Sequence, residues 1–205
     1  MKLKNIIIVC VGSICLSSCL VTNFNTVYDE PNISGGYPDE KWLFVTSDVP
    51  ASLQQDFDEQ ITQFLESCYG ANFVNYATDR NKYLLPNFLY EVDKNLFISQ
   101  LNRLGDVHFY LNVKAETLRS DVGALNYNPS SKNLRSYDQT RIQVTFEVID
   151  VLKKETVYSQ SVVGTTTKTE TERADVYLSL PLDNQFKKAF KRAFKNFKKD
   201  FPCNL

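Results

Sequence analysis

Residues Arg141 to Val151 constrain this chain most, because Ile142, Val144, Phe146 and Val148 alternate with Arg141, Gln143, Thr145 and Glu147. Successive side chains of an extended strand point to opposite faces, so this period of two demands a sheet covered on one side and wetted on the other. Lys153-Lys154-Glu155 reads as a tight turn, and the β-branched run Thr156 to Thr167 returns as an antiparallel partner. A sheet built on such a hairpin needs helical cover over its apolar face. The spacing predicts that cover from about Asp183, the cap, to Lys199: Phe186, Phe190, Phe194, Phe197 and then Phe201 recur at four- and three-residue steps, while seven Lys or Arg residues fill the other faces.

The remaining pattern extends the same layout upstream. Trp42-Leu43-Phe44-Val45-Thr46 is a short apolar run of the kind found in a strand covered on both faces. After Asp48 and Pro50, the residues Leu53, Phe57, Ile61, Phe64, Leu65 and Cys68 recur at helical spacing until Gly70. A strand is expected over 71–77, a polar loop over 79–87, a helix over 93–104 closed by Gly105, a strand over 107–113 and a polar loop over 114–139. The fold expected is therefore mixed α+β within the α/β class, a single globular domain over 41–205. It has about five strands in a two-layer or three-layer arrangement, with a long antiparallel hairpin, packed by about three helices.

The N-terminus has a different grammar. Lys2 and Lys4 precede an apolar run from Ile6 to Leu16, about half the length that a membrane-crossing helix needs, and small serines follow it. That is an export signal rather than a span. Its end, Leu16-Ser17-Ser18-Cys19, resembles the lipobox of bacterial lipoproteins. The resemblance implies a signal peptide over 1–18, cleavage between Ser18 and Cys19, and covalent diacylglyceryl and acyl (palmitate-type) groups on the Cys19 sulfur, a thiolate being a far better nucleophile than a serine hydroxyl. The other reading is an ordinary secretory leader that leaves Cys19 free or bridged. One acyl chain anchors only marginally, whereas several hold a protein to its bilayer. Residues 19–40, with two prolines and Gly35-Gly36, read as the lipidated terminus and a flexible tether. Leu20 follows the cysteine where an aspartate would resemble an inner-membrane retention signal, so the expected address is the periplasmic face of the outer membrane.

Composition narrows function by exclusion. The chain carries a formal charge of -1, about -3 once Lys2 and Lys4 leave with the leader, so no global field favours nucleic acid. Of five cysteines, Cys10 and Cys15 depart with the leader and Cys19 is committed to lipid. Cys68 and Cys203 remain, both at the C-terminal ends of expected helices. In an oxidising compartment they can bridge, or Cys68 can be a buried small hydrophobe while Cys203 frays. The single histidine, His108, has no second imidazole and no cysteine pair at ligand spacing, so no metal site and no cofactor other than the lipid is expected. No Gly-x-Ser-x-Gly elbow and no phosphate-cradling glycine loop occurs. Asp56, Asp58 and Glu59 interleave with the first helix's apolar stripe and read as its solvated face.

The order strand, helix, strand, helix, strand, long hairpin, helix resembles the envelope domain shared by the N-terminal part of TolB, the lipoproteins that activate penicillin-binding proteins and the curli secretion-pore subunit. The residues that carry it are Trp42 to Thr46 with Leu53 to Leu65, Leu96 to Gly105 with His108 to Val113, and Val148-Ile149-Asp150-Val151 before a turn with Thr156-Val157-Tyr158-Ser159 after it. The turn departs from the Thr-Gly pair common in that family, and no counterpart of the pore's membrane-crossing hairpins is read. The resemblance implies a non-catalytic binding, scaffolding or activator module that docks to another envelope protein. The competing class is an envelope hydrolase with an unrecognised site. Two surfaces are candidates for contact: the basic face of the last helix (Lys188, Arg192, Lys195), toward an acidic partner or an anionic membrane, and the Asn- and Tyr-bearing 114–139 loop, which can equally be idle. The oligomeric state is not legible.

Overall fold

The computed structural model describes residues 22–28, 37, 39–76, 107–128, 133–169 and 181–203, with the backbone alone at 119–128, 133–139 and 167–169. Six strands form one mixed sheet: β1 (Thr22–Tyr28), β2 (Trp42–Phe44), β3 (Phe73–Asn75), β4 (Phe109–Asn128), β5 (Asn133–Asp150) and β6 (Glu155–Thr169). Their spatial order is β1-β6-β5-β4-β2-β3. Two α-helices, α1 (Ala51–Tyr69) and α2 (Leu182–Asp200), are present among the described residues. The expectation of about five strands and three helices is corrected accordingly. The expected helix over 93–104 and the loop over 79–87 lie outside the described residues, as do Ser18 and Cys19.

The extra strand comes from the segment read as tether. β1 pairs antiparallel with β6 from Thr22↔Thr166 to Tyr28↔Gln160. Its alternating Thr22, Phe24, Thr26 and Tyr28 suit a pleated edge, but intervening asparagines disguise the pattern. The 114–139 stretch also differs from expectation, for β4 and β5 pair through it to Asn128↔Asn133 with bulges after Thr117 and Asp121. Strand formation there rests on backbone pairing rather than on an apolar period, which is why it reads as loop.

At the other end the hairpin between β5 and β6 turns through 151–154. The Asp150 carboxylate accepts from Lys153 N at 2.9 Å, and Lys154 takes a φ of 61°. β2 lies parallel to both β3 and β4, the mixed arrangement that a strand-helix-strand crossover requires. Gly70 closes α1 at φ 51°, donating to Glu66 O, and a single 3-10 turn (Gly70–Asn72) leads into β3.

Both helices cover the same sheet face. Phe44, Leu111, Val113, Ile142, Val144, Phe146 and Val148 from the sheet meet Leu53, Phe57, Ile61 and Leu65 of α1 and the whole phenylalanine stripe of α2. Phe57 stacks on Phe190 at 3.8 Å, and Phe146 sits within 6.0 Å of Phe190, Phe194 and Phe197. Burying each such ring contributes on the order of 1.5–3 kcal/mol, enough to hold α2 on the sheet. On the opposite face Leu43, Val74, Tyr110, Ile149 and Val151 make a smaller cluster at one end. Elsewhere that face carries polar pairs, with Thr145 hydrogen-bonded to Ser161 and Asn112 to Glu147, beside the buried Val163.

Candidate functional site: a docked N-terminal strand and a lysine-walled groove

β1 begins three residues after Cys19, and three devices hold it. The ring of Phe24 lies over Gly164, the one position of β6 where a Cβ would meet Phe24 Cε1 at 2.7 Å and Ile142 Cγ1 at 3.1 Å. Thr22 Oγ1 and Thr166 Oγ1 are 3.0 Å apart, and Thr166 donates on to Gln185 Oε1 of α2 at 2.9 Å. Arg192 reaches from α2 to donate to Phe24 O at 2.8 Å. That carbonyl belongs to an edge strand, where an unpaired acceptor invites another chain. Arg192 thus serves the fold as well as the basic face it was expected to belong to.

α1 and α2 run side by side in the same direction, Ser52 donating to Asp183 at 2.9 Å at their N-terminal ends. At their C-terminal ends Cys68 and Cys203 are joined in a disulfide with Cα atoms 4.8 Å apart. Between the helices lies a groove of about 440 Å³, walled by Lys187, Lys191, Lys195 and Lys198 from α2 and by Asp56 and Gln60 from α1. Its floor is aromatic, formed by Phe57, Phe190 and Phe194. Lys198 Nζ stands 4.6 Å above the Phe194 ring, and Lys187 Nζ lies 3.7 Å from Asp56 Oδ2.

The basic residues of α2 therefore divide into two stripes. Lys187, Lys191, Lys195 and Lys198 line the groove, while Lys188 and Lys199, with Arg192, lie on the neighbouring face. Of the expected contact set, Lys195 belongs to the first and Lys188 and Arg192 to the second. The i, i+4, i+8, i+11 recurrence beside the phenylalanine stripe is the sequence signal for the groove wall, but it acquires meaning only once α1 is placed alongside.

Other singled-out residues have structural partners. Asp58 ties the chain before α1, accepting from Thr46 Oγ1 at 2.6 Å and from Ser47 N at 2.8 Å, so it is not simply part of a solvated face. His108 Nδ1 lies 2.9 Å from Glu40 Oε2 at the surface. The Tyr158 hydroxyl sits between Gln160 Oε1 and Asp200 Oδ2, the latter 2.9 Å away. Burial first, and the Asp200 carboxylate second, push this phenol well above the ordinary tyrosine range. No group of three or more His, Cys, Asp or Glu able to hold a metal ion occurs among the described residues.

No protein-family model matches the chain, and no curated protein matches it. Solved structures similar to it include a PelC dodecamer from Paraburkholderia phytofirmans (15% identity, 85% of this chain and 95% of that one, TM-score 0.37). Another is a neuraminyllactose-binding hemagglutinin homologue from Helicobacter pylori (9%, 83% and 84%, 0.43). A third is the lipoprotein GNA1162 from Neisseria meningitidis (9%, 76% and 99%, 0.31). A lipoprotein thus stands among the neighbours, at identities and scores that assign this chain no family, partner or activity. Among the described residues no helix is long and apolar enough to cross a membrane.

Proposed function

We propose that this chain is a lipid-anchored envelope protein, held through Cys19 on the periplasmic face of the outer membrane and acting as a non-catalytic binding or scaffolding module. The observation that carries the reading is the junction of Leu16-Ser17-Ser18-Cys19 with β1, the docked strand that starts at Thr22. Three Cα steps reach at most about 11 Å, so the lipid holds the sheet itself rather than the end of a long leash. The register then orients the body. Thr22 pairs with Thr166, Thr166 with Thr140 and Thr140 with Ser120, so the β4–β5 hairpin projects from the same end of the sheet as the anchor. Its seven further residues on β5 extend about 23 Å past that row, farther than the link from Cys19 reaches, so the hairpin runs along the bilayer surface rather than into it.

Labelling growing cells with a radioactive fatty acid and separating the membranes by density tests the proposal. The chain is expected to take up label and sediment with the outer membrane, and Cys19→Ala is expected to lose the label and leave the membrane fraction. An alanine variant that still sediments wholly with carbonate-washed vesicles ends the anchoring reading.

A further inference from the structure

We propose that the groove between α1 and α2 is a docking site for an acidic helical segment of a partner protein. The inference deepens the binding-module reading and rests on it. Lys187, Lys191, Lys195 and Lys198 place four ammonium groups along one stripe, faced across the groove by a single carboxylate, Asp56. Among the described residues only Lys187 of the four meets an acid, at 3.7 Å. Like charges one helical turn apart repel, so the isolated domain holds this stripe at a cost that an anionic occupant relieves. Eleven residues of helix span about 17 Å, too long for one phosphate to satisfy and matched by carboxylates repeating once per turn on a third helix. The aromatic floor of Phe57, Phe190 and Phe194 is all but fully buried, so the occupant is recognised by its carboxylates and by contact with the lysine stems rather than by an inserted apolar side chain. A flat anionic bilayer would engage the neighbouring stripe, Lys188 and Lys199, at least as well as the recessed one.

The test uses the full lipidated protein in zwitterionic nanodiscs and a synthetic alanine-based helical peptide of about 16 residues bearing glutamate at each turn. Its glutamine counterpart is the control. The acidic peptide is expected to bind with salt-sensitive affinity and the glutamine peptide about tenfold or more weaker. Lys191→Glu with Lys198→Glu is expected to weaken binding about tenfold or more, while Lys188→Glu with Lys199→Glu, the same charge change one stripe over, changes it less than about threefold. Equal loss in both pairs, equal binding of both peptides, or a preference for anionic vesicles that depends on Lys188 and Lys199 would overturn the site. Because these positions are exposed, circular dichroism of each variant confirms the fold. Failure here, with crosslinking in native membranes still capturing one partner at another surface, leaves the binding-module reading standing.

Discussion

At the scale of single residues, two contacts set how the domain responds to change. Gly164 leaves room for the Phe24 ring, so Gly164→Ala places a methyl 2.7 Å from that ring, which must turn aside and loosen the hold on β1 at the edge of the sheet. A loss of about 1–3 kcal/mol is expected. Hydrogen exchange is expected to show protection lost at β1 amides while α2 amides keep theirs, and Phe24→Ala in the same chain should restore much of the stability. An unchanged β1 would show that the ring does not hold the strand. Tyr158 gives the pH dependence. Its folded phenol stays protonated above the value near 10 at which the unfolded chain releases the proton, so the folded state binds more protons there. Its contribution is therefore complete below pH 10 and declines as pH climbs beyond it. Urea midpoints from about pH 9 to 11 should fall less steeply in Tyr158→Phe than in the parent. Tyr69, whose phenol burial alone pushes up, keeps part of the slope. An identical slope in the variant would remove Tyr158 from the account.

At the scale of elements, the disulfide acts on the pairing of α1 with α2. It closes a loop of 135 residues in the unfolded chain, for which chain entropy gives about 4–5 kcal/mol. Cys68→Ser with Cys203→Ser is expected to lower the denaturation midpoint by an amount that reduction of the parent reproduces. If the reduced parent and the double variant unfold as the oxidised parent does, the bridge does not form in the folded chain. What the sequence makes legible is unequal across these elements. α1, α2 and the β5–β6 hairpin announce themselves because their apolar residues repeat at 3.6 or 2. β1 and the outer half of β4 do not, since Asn23, Asn25, Ser120 and Asp121 contribute to pairing through backbone groups that every residue carries. The two cysteines are visible at helix ends, but the parallel course of the helices depends on both docking to one sheet face. The groove shares that dependence, which is why a reading made helix by helix leaves Lys187, Lys191 and Lys198 on one undivided basic face with Lys188, Arg192 and Lys199.

At the scale of the whole molecule, β1 is the link between anchor and body, and the link is non-covalent in a way that can be exposed. Seven residue pairs, the Phe24 ring on Gly164, the Thr22–Thr166 contact and the Arg192 bond to Phe24 O hold β1 in the sheet independently of the chain that continues from Tyr28. A strand at a sheet edge opens more readily than one inside it, yet a strand with a half-buried ring and a side-chain clamp should open only with substantial loss of structure. Insert a specific protease site between Ser34 and Gly35 and cleave the protein in intact membranes. The body, residues 35–205, is expected to stay with the vesicles in native buffer, because β1 remains in its place beside β6. It should appear in the supernatant in moderate urea, and at lower urea in Gly164→Ala. Release of the cleaved body in native buffer would mean that the edge strand exchanges freely and that the register of β1 does not orient the domain on its membrane. Absence of the uncleaved protein from the membrane would instead count against the lipid on Cys19, so the two failures are told apart by the sample taken before the protease is added.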